Sequence, residues 1–173
     1  ACQAGGLQGL DGPFRELYEL YKDRVYNVCY RITGNATDAL DASQETFGIV
    51  FRRIREFRFQ SRFSSWGYRI AVNESINQLN RRKRNEELGD NRVAPGLGPD
   101  ASVDAGHLSR EIQEVLLELS DDHRSVIVLR HFTECSYREI GEVLQIPEKT
   151  VKSRLFSARK AMKTQLERKG FTP

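Results

Sequence analysis

Aromatic and arginine side chains alternate between residues 55 and 69, in the sequence REFRFQSRFSSWGYR. Aromatic rings offer faces on which unpaired bases stack, and guanidinium groups neutralise phosphate, so this mixture is typical of single-stranded nucleic-acid sites. The short polar side chains of Gln60 and Ser61 are suited to hydrogen bonds with the edge of an extruded base. The alternative is that Phe57, Phe63 and Trp66 are core residues of a helical turn, which is the commoner role of any single aromatic.

A second group of candidate phosphate ligands ends the helix that follows. Arg81, Arg82, Lys83 and Arg84 are four consecutive basic residues. Such residues complement the dipole at a helix C-terminus, and they also attract phosphate. A solvated charged face is the alternative, but the neighbouring aromatic and arginine stretch favours a contact with nucleic acid.

A helix-turn-helix is predicted between residues 136 and 163. Ser136 and Glu139 form a capping box, which marks the start of the first helix. Pro147 is suited to the first position of the second helix because its φ is fixed near the helical value. The second helix has apolar residues at every third or fourth position and a basic opposite face. That face comprises Lys149, Lys152, Ser153, Phe156, Lys160 and Lys163.

A basic second helix of this kind is suited to the major groove of DNA. An ordinary helical hairpin with a solvated basic face is the alternative interpretation. The coincidence of the capping box, the proline and the one-sided basic stripe favours DNA binding.

The remaining reactive side chains do not form a catalytic or metal-binding pattern. His107, His123 and His131 have no metal-ligand spacing with cysteine or carboxylate, and no nucleophile is paired with a base. Cys2 and the other two cysteines, Cys29 and Cys135, are too far apart for a zinc site or a disulfide framework. We therefore expect no enzyme activity, no metal and no cofactor.

Helices position all of these residues. The chain begins with a long amphipathic helix, and Asn35 is placed to cap a second helix with Asp38 in its first turn. The polar face of that second helix is either solvent-exposed or a docking surface for a protein partner. A third helix is expected to begin with Ser64 or Ser65 as its cap.

Charge and composition divide the chain. Residues 1–84 carry 14 basic against 9 acidic residues, residues 85–108 carry 1 against 5, and residues 109–173 carry 12 against 10. The middle segment is rich in Gly, Pro, Asp and Ala, which is typical of a linker. The sequence therefore predicts an all-α protein with two small helical domains, at 1–84 and 109–173. A flexible acidic linker, 85–108, would join them, and the second domain would contain the helix-turn-helix.

Several motifs in this order resemble a known family. They are DALDASQETF, FRFQSRFSSWGYRIAVN and LLELSDDHRSVIVLRHFTECSYREIGEVLQIPEKTVKSRLFSARKAM. Together they resemble the bacterial extracytoplasmic-function (ECF) sigma factors, which contain only sigma regions 2 and 4. The resemblance extends from about Phe14 to Leu166. It departs from the usual pattern at Gly67, Cys135, Gln145 and Ser157, and Gln145 occupies a left-handed turn position where glycine is usual.

The resemblance implies a transcription initiation factor. Such a protein binds core RNA polymerase and directs it to promoters, reading the minus-ten element as melted strand and the minus-thirty-five element as duplex. It implies that the polar face of the second helix docks on the polymerase. The implied docking residues are Asp38, Asp41, Gln44, Glu45, Phe47 and Arg52.

It also implies two sets of DNA-binding residues. The minus-ten set is Arg58, Phe59, Gln60, Ser61, Arg62, Phe63, Ser65, Trp66, Tyr68, Arg69, Asn73, Arg81, Arg82, Lys83 and Arg84. The minus-thirty-five set is Ser136, Tyr137, Arg138, Lys149, Thr150, Lys152, Ser153, Arg154, Phe156, Ser157, Arg159 and Lys160.

The resemblance further implies an anti-sigma factor as a partner and a location in the bacterial cytoplasm. The N-terminal sequence has neither the basic nor the apolar segment of a signal peptide, and no apolar run approaches a membrane span, which agrees with that location. Two alternatives remain. One is a stand-alone helix-turn-helix regulator, and the other is a sigma mimic that sequesters an anti-sigma factor without binding DNA.

Overall fold

The computed structural model describes residues 11–57, 61–88 and 103–171, without the side chains of residues 11 and 103–109. These residues form seven α-helices and no strand, so the all-α prediction is confirmed. The helices are α1 (Asp11–Thr33), α2 (Ala36–Arg53), α3 (Phe63–Glu87), α4 (Val103–Glu118), α5 (Asp121–His131), α6 (Tyr137–Leu144) and α7 (Glu148–Arg168). A 3-10 turn, Ile54–Glu56, follows α2. Within the described ranges, no helix combines the length and apolar character of a membrane span.

Side-chain caps begin three of these helices. Asn35 Oδ1 accepts from the Asp38 amide at 2.8 Å, and Ser120 Oγ accepts from the His123 amide at 3.3 Å. At α6 both bonds of the predicted capping box are present, from the Glu139 amide to Ser136 Oγ and from the Ser136 amide to Glu139 Oε2. The expected cap of α3 at Ser64 or Ser65 is wrong, because the N-cap residue is Arg62, two or three residues earlier, and it makes no side-chain capping bond.

The helices form two groups. Helices α1, α2 and α3 pack together around Val28, Ile32 and Val72. The second group consists of α5, α6 and α7, which pack around Ile140 and Leu155, and of α4, which packs on α7. Residues 85–87, predicted as linker, belong to α3, and residues 103–108 belong to α4. The rest of the predicted linker lies almost wholly outside the described residues.

The two groups also pack against each other. Helix α3 contacts α6, and α1 contacts both α4 and α5. The buried apolar residues of both groups belong to one continuous cluster, which includes Ile32 and Ala71 of the first group and Leu116 and Ile140 of the second. This arrangement decides which of the predicted site residues are accessible.

Candidate DNA-binding and docking surfaces

Helix α7 separates its apolar and basic residues as the sequence predicts. Val151, Leu155 and Ala158 are completely or almost completely buried against α5 and α6. The opposite face is exposed to solvent, and Phe156 leaves 73% of its surface accessible. The exposed residues of this face are Lys149, Lys152, Ser153, Phe156, Ser157, Arg159 and Lys160. An exposed aromatic among lysines is unusual for a solvated face and suits contact with bases and phosphates.

The turn before α7 sets the orientation of this exposed face relative to α6. Gln145 adopts the left-handed conformation, with φ 56° and ψ 42°. The Ile146 amide donates to the Gly141 carbonyl at 3.0 Å, which folds the turn back onto α6. A Cβ at Gly141 would lie 2.8 Å from the Ile146 carbonyl oxygen, so only glycine permits this approach. Sequence reasoning missed Gly141, although a glycine inside a predicted helix often marks such a contact.

Several predicted contacts of this motif have protein partners. Arg154 Nη2 lies 3.1 Å from Asp122 Oδ2 of α5, and its side chain is only 23% exposed. Arg154 therefore holds α7 against α5 in this conformation. Thr150 and Tyr137 are half-buried, and the cations of Arg130 and Lys152 lie 5.2 and 6.0 Å from the centroid of the Tyr137 ring.

Other residues of the motif form pairs on the surface. Lys152 Nζ lies 3.0 Å from Glu148 Oε1, and Arg138 Nε lies 3.2 Å from Glu142 Oε1. Each pair joins residues one helical turn apart and is largely exposed, so the attraction is weak. Phosphate can therefore replace the carboxylate as the partner of the basic side chain. Ser136 Oγ is used by the capping box.

The aromatic and arginine stretch forms a ring cluster at the start of α3. Arg58, Phe59 and Gln60 lie outside the described residues. The rings of Phe57, Phe63 and Trp66 pack on one another, with centroids 5.3 to 5.9 Å apart. Tyr21 of α1 completes the cluster, 5.1 Å from Phe63. Phe63 and Trp66 are half-buried, so the cluster both anchors the start of α3 and leaves ring surface accessible.

Further along α3, the structure separates buried from accessible residues. Ser65 is 1% exposed and Tyr68 is 3% exposed. Burial raises the pKa of the Tyr68 hydroxyl, and Cys135 of the second helical group adds to that rise. Arg69 is half-buried and donates to the Glu142 carbonyl at 2.9 Å, whereas Asn73 is exposed. In this conformation Ser65 and Tyr68 cannot contact DNA.

The basic residues at the end of α3 also differ in accessibility. Arg81, Lys83 and Arg84 are exposed. Arg82 turns back to the protein, where its Nη1 lies 2.8 Å from Asp38 Oδ2 at the start of α2. The predicted phosphate cluster thus consists of three accessible side chains and one that is already paired.

The predicted docking face lies on α2. Asp41, Gln44, Glu45 and Arg52 are exposed, and Arg52 Nη2 lies 3.3 Å from Glu45 Oε1. Phe47 is 7% exposed and packs on Tyr18 with ring centroids 4.7 Å apart, so it supports this face from within. Asp38 is occupied by its pair with Arg82.

Sequence reasoning missed one residue of the docking face. Leu40 is 50% exposed and lies on the same side of α2 as Gln44, which comes one helical turn later. A large apolar side chain surrounded by exposed polar groups is a common anchor of a protein interface. Leu40 lies outside the buried stripe of Ala39, Ala42 and Thr46. This position in the helical pattern is the sequence signal that could have identified it.

The described cysteine side chains are buried. Within the part of the chain that the structure describes, no group of His, Cys, Asp and Glu residues is arranged to hold a metal. Burial raises the pKa of the Cys29 thiol to about 11, and burial also raises the pKa of the Cys135 thiol. Both thiols therefore stay protonated near neutral pH and are poor nucleophiles.

Comparisons with known proteins identify the family to which this chain is similar. Residues 17–85 match the family "Sigma-70 region 2", and residues 109–162 match "Sigma-70, region 4". The ECF RNA polymerase sigma factor SigW of Bacillus subtilis is 37% identical over 171 residues, which cover 92% of this chain and 91% of SigW. The RNA polymerase sigma-H factor of Pseudomonas aeruginosa is 30% identical, covering 85% of this chain and 82% of that protein.

Two solved structures share the fold. One is the sigma factor RpoE in complex with the anti-sigma factor NepR from Bartonella quintana, with a TM-score of 0.73 and 23% identity. It covers 90% of this chain and 97% of RpoE. The other is CnrH in complex with the cytosolic domain of CnrY, with a TM-score of 0.70, 22% identity and coverage of 95% and 94%.

Proposed function

Since the chain belongs to the ECF RNA polymerase sigma factors, which are transcription initiation factors and not enzymes, we propose how its surfaces divide the work of promoter recognition. Residues 1–84 act as the region 2 domain and residues 109–173 as the region 4 domain. Residues 85–108 link them and include the end of α3 and the start of α4. The region 2 domain binds core polymerase and the melted minus-ten strand. The region 4 domain reads the minus-thirty-five element as duplex.

The observation that carries this proposal is the exposed basic face of α7. Its lysines and Phe156 project from a helix whose other side is fixed in a core, which is the arrangement that a major-groove helix requires. The lysines contact phosphate and set the position of the helix, and Phe156 and Ser153 face the base edges. Apolar contact with a thymine methyl group is the chemistry open to Phe156.

The minus-ten contacts come from the ring cluster and the exposed cations of α3. Unpaired bases stack on Trp66 and Phe63, and Arg81, Lys83 and Arg84 neutralise the adjoining phosphates. Gln60 and Ser61 select the extruded base. Each stacked base contributes about 1–3 kcal/mol, which offsets part of the cost of opening the duplex.

Polymerase docking uses α2. Asp41, Gln44 and Glu45 form an acidic, exposed strip around Leu40. Such a strip suits a basic partner surface with an apolar recess. A stand-alone helix-turn-helix regulator has no use for this strip, which is why we favour the sigma-factor mechanism over that alternative.

We place the protein in the bacterial cytoplasm, where its polymerase and DNA partners are found. An anti-sigma factor is a further expected partner, since RpoE is seen in complex with the anti-sigma factor NepR.

Run-off transcription tests the proposal directly. Purified core polymerase and genomic DNA fragments are incubated with and without this protein, and transcript ends are mapped. Specific start sites that depend on the protein are expected. If start sites are the same with and without it, the proposed function is wrong.

A further inference from the structure

Gly67 follows Trp66 in the second turn of α3, at a position where neither the backbone nor the packing requires a glycine. Its φ is not in the left-handed region. Outside its adjacent residues and its own helix backbone, an added Cβ would meet Phe63 Cε1, at an ordinary contact distance of 3.9 Å. Alanine would therefore fit here. Since glycine inside a helix is less stable than alanine, Gly67 weakens α3 directly beside the ring cluster.

The first turn of α3, Phe63–Trp66, is held to the rest of the helix by few interactions. Its N-cap residue, Arg62, makes no side-chain capping bond, so the cap offers no acceptor to the first amides. The Trp66 amide donates to the Arg62 carbonyl at 3.2 Å, at the long end of the usual range. This turn is thus joined to the body of α3 through the residue type with the freest backbone.

Two buried polar atoms close to Gly67 lack hydrogen-bond partners among the described residues. Ser65 Oγ lies two residues before the glycine, and Arg69 Nε lies two residues after it. Each atom opposes the conformation that buries it, because it has lost its hydrogen bonds to water and gained none. A change of backbone conformation at Gly67 that turned either side chain outward would restore its partners.

The ring of Trp66 is already in contact with another ring. Its centroid lies 5.3 Å from that of Phe57, and the two planes are inclined by 34°. Phe57 therefore covers part of the surface on which an unpaired base would stack. A base that stacks fully on Trp66 must compete with Phe57, so the first turn of α3 has to shift when a strand binds.

From these observations we propose that Gly67 is a hinge, whose backbone changes conformation on strand binding so that Trp66 exchanges Phe57 for an unpaired base. Gly67 is a positioning residue, because it acts through Trp66 and does not itself contact the base. The inference rests on the proposed function for the ligand, single-stranded DNA. It goes beyond that function in assigning a role to a residue at which the chain departs from its family's usual pattern.

Gly67→Ala tests the hinge, because alanine stabilises the helical conformation at this position and not the rearranged one. The melting temperature should rise by about 1–4 °C. The same free energy must then be overcome when the strand binds. Affinity for a single strand should therefore fall about two- to five-fold, which corresponds to about 0.5–1 kcal/mol.

Tryptophan fluorescence measures this affinity at the proposed site, since Trp66 is the only tryptophan of the chain. The full chain is titrated with a 20-nucleotide oligothymidine strand, and stacking of a base on Trp66 should quench its emission. Gly67→Ala should need about two- to five-fold more strand for half-maximal quenching. Gly12→Ala is the matched control in α1, at an exposed position where an added Cβ meets nothing within 4 Å. It should bind the strand as the wild type does.

Hydrogen exchange without DNA gives a second measurement that does not depend on the proposed function. Opening at the hinge breaks the helical hydrogen bonds that cross Gly67, which the amides of residues 68–71 donate. These amides should exchange about two- to five-fold more slowly in Gly67→Ala than in the wild type. Gly12→Ala should leave their exchange unchanged.

The outcomes separate the hinge from the proposed function. If Gly67→Ala is more stable but binds oligothymidine as tightly as the wild type, the hinge is wrong and strand binding at Trp66 stands. If Gly67→Ala is less stable than the wild type, or exchanges as fast at residues 68–71, the hinge is also wrong. If oligothymidine does not quench Trp66 in the wild type, the proposed strand site is wrong, and the hinge is wrong with it.

Discussion

Arg82 and Asp38 join the basic end of α3 to the first turn of α2, with Arg82 Nη1 2.8 Å from Asp38 Oδ2. The same carboxylate accepts from Asn35 Nδ2 at 2.9 Å, and Asn35 in turn caps α2. Arg82 also reaches the Thr33 carbonyl at 3.5 Å. One arginine therefore ties together the end of α1, the start of α2 and the last turns of α3.

Arg82→Ala should destabilise the protein by about 1–2 kcal/mol, because Asp38 and the α1 carbonyl lose a charged donor in a partly buried site. For a chain of this length, the melting temperature should fall by about 2–8 °C. Differential scanning calorimetry measures this shift. The matched variant Arg81→Ala, at an exposed position, should leave the melting temperature within about 1 °C of that of the wild type. Equal shifts in both variants would refute a structural role for Arg82.

Leu40→Ala should weaken binding to core polymerase at least about five-fold, or ~1 kcal/mol, since an apolar anchor would be lost from the docking face. Stability should change by less than about 0.5 kcal/mol, because half of the side chain is already exposed. Leu20→Ala is the control, since Leu20 is 65% exposed on α1, outside the proposed docking face. Fluorescence anisotropy with labelled protein gives both affinities. If the two leucine variants bind alike, Leu40 is not part of the interface.

The pH dependence of stability should report the capping box of α6. The Ser136 amide, then the Ser136 hydroxyl and Arg62, hold the pKa of the Glu139 carboxyl below its ordinary value. Because the folded pKa is depressed, the stability from this group is present above the unfolded pKa of about 4.3 and is lost as pH falls through the folded value. Glu139→Gln should therefore be less stable than wild type at pH 7, and the difference should shrink below about pH 4.

Urea unfolding curves at pH 7, 5, 4 and 3.5 measure this difference. Glu134→Gln is the control, because Glu134 is exposed and its carboxyl lacks the bonds of the capping box. A stability difference for Glu139→Gln that is the same at every pH would show that the carboxylate charge contributes nothing to α6.

The sequence predicted the features that depend on neighbouring residues. The caps at Asn35 and Ser136 are local hydrogen bonds across three residues, and the left-handed turn at Gln145 follows from the short connection between α6 and α7. The buried and exposed faces of α7 follow from helical periodicity. Each of these features is a property of a few consecutive residues, so an amino-acid pattern is enough to indicate it.

Pairings between distant segments could not be predicted in this way. Arg82 and Asp38 are 44 positions apart, and Arg62 and Glu139 are 77 apart. The four consecutive basic residues 81–84 look equivalent in sequence, yet only Arg82 turns towards the protein. The burial of Ser65, Tyr68 and Phe47 depends likewise on which helices pack together, and this is decided by the whole fold.

Lys152 and Arg154 lie two residues apart on α7, and the structure predicts opposite roles for them. Lys152 is exposed and its carboxylate partner, Glu148, lies on the surface, whereas Arg154 is mostly buried and pairs with Asp122. Lys152→Ala should reduce the salt dependence of promoter binding by about one in the log–log slope, as one lost phosphate contact does. Arg154→Ala should leave that slope unchanged and lower stability by up to about 1 kcal/mol.

A double-mutant cycle completes this comparison. If Arg154 acts through Asp122, then Asp122→Ala should cost about as much stability as Arg154→Ala, and the double variant no more than either. Binding of the holoenzyme to a promoter fragment, followed at several salt concentrations, gives the slopes. A slope that falls for Arg154→Ala but not for Lys152→Ala would reverse the two assignments and would require α7 to meet DNA through a different face.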